Sequence, residues 1–124
     1  MGLRFHPVEA EGYLHVVGEG PVFTEDVADN VDEGVRLIID LALPGALVDF
    51  SLAVLEMSIV DIFRLPDWFE ARNLPRGTRI AVVLPADPPN MYKYTFFDDV
   101  TTNRGYQVRL FWETTSAQGW LRTA

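Results

Sequence analysis

A chain of 124 residues with 48% apolar content and no cysteine is long enough to bury the core of one domain without disulfide or metal staples. The missing thiols also exclude thiolate metal sites, thiol nucleophiles and redox switching. The formal charge of −8 resides in residues 1–50, where Arg4 and Arg36 stand against ten carboxylates, while the remainder carries eight charges of each sign; an acidic surface without a basic stripe repels nucleic-acid phosphates and anionic membranes. No apolar run approaches the roughly 20 residues that span a bilayer, and no secretory h-region is visible, so a soluble, cytoplasmic protein is expected.

Leu3 to Val8 and Tyr13 to Val17 are apolar-rich runs around Glu11-Gly12, which predicts an antiparallel hairpin at a sheet edge. Thr24 followed by Glu25 and Asp26 reads as a helix start, with a hydroxyl to cap and carboxylates at the positive end of the macrodipole. Val27 and Val31 give that helix a buried stripe, and Gly34 is expected to end it. Val35 to Leu41, rich in β-branched residues and nearly continuous in its apolar character, predicts the first fully buried strand, broken by Pro44-Gly45. A competing reading carries the helix through Ile39 and makes Leu47 to Ser51 the strand; the β-branched cluster and the Pro44-Gly45 break weigh against it.

From Ser51 onward, Leu52, Leu55, Ile59, Ile62 and Phe63 fall on one face of a predicted helix. Its other side mixes Val54, Met57 and Val60 with Ser58, Asp61 and Arg64. Pro66 suits the first turn of a new helix, so Asp67 to Asn73 is expected as a second segment after a kink. Arg79 to Leu84 reads as a buried strand, Asn90 to Asn103 as a helix with Gly105 past its end, and Tyr106 to Trp112 as the last strand. A terminal helix follows, capped by Thr114 or Thr115 and anchored by Ala117, Trp120 and Leu121. The order β-β-α-β-α-β-α-β-α predicts one α/β domain over residues 1–124. Its sheet is mixed and five-stranded, with an N-terminal antiparallel hairpin and parallel C-terminal strands joined by right-handed crossovers.

Three stretches within this order, Leu37-Ile-Ile-Asp-Leu41, Arg79-Ile-Ala-Val-Val83 and Asn103-Arg-Gly-Tyr-Gln-Val-Arg-Leu-Phe111 leading into Ala117-Gln-Gly-Trp-Leu121, resemble STAS-type domains, most closely the SpoIIAA-like branch. The resemblance covers essentially the whole chain and implies a small non-enzymatic regulatory or binding domain. In antagonist STAS domains a functional serine opens the helix after the central strand in an Asp-Ser-Ser-Gly pattern. The comparable residues are Asp49, Phe50, Ser51 and Leu52: Asp49 and Ser51 match, while Phe50 stands where the usually phosphorylated serine would be and Leu52 replaces the glycine. A shift that aligns Ser58 instead would bury that serine among apolar residues within a helix.

The candidate sites follow. Asp49 and Ser51 are either a helix cap or a residual phosphorylation switch. Val54, Met57, Ser58, Val60 and Asp61 form a candidate surface for a protein partner or a second copy of the chain. Trp68, Phe69, Tyr94 and Phe97 suggest an apolar pocket between residues 51–73 and 90–104. The loop from Ala42 to Phe50 lacks the glycines and lysine of a phosphate loop. Glu25, Asp29, Asp32 and Glu33 read as a solvated helix face rather than a cation site. His6 and His15 lie on separate strands, no catalytic constellation assembles, and no cofactor or metal is expected. The leading expectation is therefore a non-enzymatic partner-binding module with a degenerate serine switch, and the alternative is a carrier of a small apolar ligand or lipid.

Overall fold

The computed structural model describes residues 2–123. The elements are β1 (Gly2–Val8), β2 (Tyr13–Val22), α1 (Thr24–Asp40), β3 (Gly45–Leu55), α2 (Ile59–Ala71), β4 (Arg79–Val83), α3 (Met91–Thr102), β5 (Gln107–Phe111) and α4 (Thr114–Arg122), with a short 3-10 turn at Glu9–Glu11. The sheet order is β1-β2-β3-β4-β5; β1 runs antiparallel to β2 and every other neighbouring pair is parallel. The element order expected from the sequence and the mixed five-stranded sheet are both present.

Because side chains alternate along a strand, the sheet presents two faces. Leu14 and Val16, Ala46, and Ile80 and Val82 point into the cores built with α1, α2 and α3. Their neighbours Tyr13, Leu47, Ala81 and Val83 meet Ala117 and Leu121 of α4 on the opposite side.

The boundaries around the third strand differ from the sequence reading. Val35 to Leu41 is not a strand: residues through Asp40 complete α1, whose buried positions Val31, Val35 and Ile38 follow Val27 at helical spacing. Packing overrides the modest helix penalty of β-branched residues here. Gly34 does not stop the helix. A Cβ at that position would come within 2.8 Å of the Phe5 ring, so the glycine lets β1 close onto α1. Thr24 is the first helical residue, and its hydroxyl donates to Asp61 Oδ2 at 2.7 Å rather than capping; the Phe23 amide donates to Asp26 instead.

The central strand is Gly45–Leu55, so the helix expected from Ser51 begins only at Ile59. Val17 pairs with Asp49 while Glu19 pairs with Leu52, which sets Phe50 and Ser51 against Gly18 alone. This β-bulge adds one residue and resets the inward alternation, so the buried positions run Phe50, Ala53, Leu55. A three-residue step inside a strand imitates helical spacing in sequence. Pro66 neither splits nor ends α2; it is fully buried, and its missing N–H leaves the Ile62 carbonyl without its usual helical donor.

Candidate functional site

A cavity of about 170 Å³ lies between the sheet and the three helices on its first face. Its floor includes Val16, Ala46 and Val82 from β2, β3 and β4. Val35 and Ile38 close it from α1, Met57, Ile62 and Phe69 from the α2 region, and Tyr94 and Phe97 from α3. The surface facing the space is apolar throughout. Such a void forfeits dispersion contacts along its wall unless an occupant restores them.

Tyr94 stands out on that wall. It is 2% exposed, its ring meets Phe50 edge-on at 6.4 Å, and its hydroxyl is buried without a hydrogen-bond partner. Burial pushes its pKa up to about 12. The two other buried tyrosines differ: the Tyr106 hydroxyl donates to the Leu74 carbonyl at 3.3 Å, and the Tyr13 hydroxyl accepts from Gln118 Nε2 at 3.0 Å.

Of the residues the sequence suggested for a pocket, Phe69, Tyr94 and Phe97 line the cavity, whereas Trp68 packs beside it without lining it. Phe5, Phe50, Val35 and Ile38 also contribute and were missed. The signal for the last two is the spacing of Val27, Val31, Val35 and Ile38, which only the competing reading, a helix carried through Ile39, keeps on one face, and α1 follows that reading.

Asp49 and Ser51 do not cap a helix. They sit at the bulge of β3, where Asp49 Oδ1 accepts from the Ser51 amide at 3.0 Å and the Ser51 hydroxyl at 2.7 Å. The helix after the central strand opens at Ser58, whose hydroxyl accepts the Asp61 amide at 3.1 Å. Ser58 is exposed at that cap, not buried within a helix as the shifted alignment implied. The expected partner surface also divides. Val54 and Val60 are exposed, but Met57 is 1% exposed and belongs to the core. Asp61 is held by Thr24.

On the other sheet face, beyond α4, His6 and His15 pair across β1 and β2 with ring centroids 6.0 Å apart. Burial lowers the His15 pKa, the nearby Asp49 carboxylate opposes that shift, and His6 adds to it. Among the described residues no group of three or more histidines and carboxylates converges as a metal site, and no helix is long and apolar enough to cross a membrane.

No family model matches the sequence, and no curated protein matches it either. Among solved structures, the chain is similar to an uncharacterized protein of the DUF3478 family with a SpoIIAA-like fold from Shewanella loihica PV-4. The similarity has a TM-score of 0.59 at 16% identity and covers 97% of this chain and 92% of that one. The protein thus has a SpoIIAA-like α/β fold.

Proposed function

We propose that this SpoIIAA-like domain is a non-enzymatic binding module that holds a small apolar molecule between its sheet and α1, α2 and α3. The observation that carries this reading is the cavity of about 170 Å³, whose wall presents no polar surface. Apolar protein cavities of similar volume take apolar guests. The test is native mass spectrometry of freshly purified protein, with an expected noncovalent adduct that is lost on denaturation. A clean apo mass from several expression hosts, together with no thermal stabilisation by any apolar probe, overturns it.

A second reading, a protein-interaction module, rests on a different observation. Val60 and Phe63 on the outer side of α2 are 58% and 56% exposed, and Phe63 stacks on Phe96 of α3 at 6.5 Å. Exposed Ser58 caps the same helix two residues before Val60, where a phosphate would add close to two negative charges at the helix start. Phe63→Asp is expected to abolish partner capture or self-association while leaving the thermal transition nearly unchanged; retained association sinks the surface. Met57→Asp is no substitute probe, because it places a charge in the core and unfolds the chain.

A further inference from the structure

The cavity's size, wall chemistry and ring content narrow the class of ligand, an inference that rests on the binding reading above. We infer that it selects a neutral, single-ring aromatic molecule. Size gives the first constraint: about 170 Å³ compares with the roughly 150 Å³ of a protein cavity that admits benzene, a volume that suits a single ring better than a long acyl chain.

Polarity gives the second. Asn30 carries the one amide on the wall among the described residues, and its side-chain nitrogen already donates to the Asp26 carbonyl at 2.6 Å. The Tyr94 hydroxyl is sealed within the wall rather than presented to the space. With no polar surface facing the space and no charged residue on its wall, a carboxylate or ammonium group would lose its hydration with no charged partner to replace it, a loss that neutral ligands avoid.

The third constraint is the set of rings. Phe5 from β1, Phe50 from β3, Phe69 from α2, and Tyr94 and Phe97 from α3 all line the space. They approach from both the sheet and the helices. An aromatic guest can meet such rings edge-to-face or offset, gaining more than its buried area alone provides. Phe50 and Tyr94 already show the edge-on arrangement, at an interplanar angle of 78°.

The experiment compares toluene, benzoate and hexadecanoate by thermal shift on the full chain, followed by heteronuclear NMR of the methyl groups facing the cavity. Toluene at millimolar concentration is expected to raise the thermal midpoint by about 3 °C or more and to move the Val16, Ile38 and Ile62 methyl signals. Benzoate and hexadecanoate should do neither. Ala46→Leu fills the floor of the space and should remove the toluene shift at least tenfold in affinity; Val16→Leu serves the same purpose if the first variant fails to fold. Equal shifts with benzoate, or a toluene response that survives both filled variants, overturn the inference. Absence of a toluene response alongside a long-chain adduct in the native mass spectrum refutes the ligand class and leaves the binding reading standing. A clean apo mass together with no thermal stabilisation by any apolar probe refutes the two together.

Discussion

Replacing Tyr94 with phenylalanine should stabilise the protein. The ring is fully enclosed, and its edge-on contact with Phe50 survives the substitution; only the oxygen is lost, and that oxygen has no partner. An unsatisfied buried polar group costs about 1–3 kcal/mol, so after allowing for the small void left behind, Tyr94→Phe should gain about 1 kcal/mol. At this chain length that corresponds to roughly 4 °C in the thermal midpoint. The alkaline limb supplies a second reading of the same group. Its pKa is raised from 10.0 to about 12, so the native state favours the neutral phenol. The stability this confers is present below pH 10 and is lost as pH rises toward 12. Urea unfolding of both proteins at neutral pH and near pH 11 is the assay: Tyr94→Phe should start higher and decline less. A variant less stable than the parent at neutral pH would mean that the hydroxyl makes a bond in the fold, and the reasoning would fail.

Two further substitutions probe the sheet. At Gly45 an added Cβ would sit 2.1 Å from the Arg79 carbonyl oxygen, a backbone atom of β4, so Gly45→Ala should lose about 2–3 kcal/mol in urea unfolding. Gly12→Ala, at φ 77° with open space around it, should lose only the roughly 1–2 kcal/mol of left-handed strain; equal losses would refute the steric account. For His15, burial lowers the pKa from 6.5, so the unfolded chain binds the proton more readily. Its stabilising effect is full above pH 6.5 and declines as pH falls from there toward the folded value. His15→Leu should flatten the change in unfolding free energy between about pH 7 and pH 5, and an unaltered slope would remove His15 as its source.

Tyr94, Phe97 and Phe69 are legible in the sequence as aromatics on helical stretches, and they line the cavity. Asp49 and Ser51 have the residue types of a helix start, yet they mark a bulge. Met57 looked like a surface residue because it was placed on the wrong element; in the loop after β3 it turns inward and is almost wholly buried. Each of these misplacements follows from one boundary, the end of α1.

The amino-acid sequence by itself determined the number and order of elements, because hydrophobic periodicity and the Pro and Gly breaks are local properties of the chain. It also determined the acidic N-terminal half and the absence of thiol chemistry. Tertiary structure decided where the central strand lies. Val35 and Ile38 have side chains that suit a strand, and they are helical because their helical face covers β2 and β3 in the core with Leu14, Val16 and Ala46. The bulge opposite Gly18 likewise depends on the fit of Phe50 over a residue without a side chain, 32 positions away, where a Cβ would lie 2.6 Å from the ring. The cavity is a property of the same kind: it exists where side chains from seven elements fail to meet, and no local pattern in the sequence records a space.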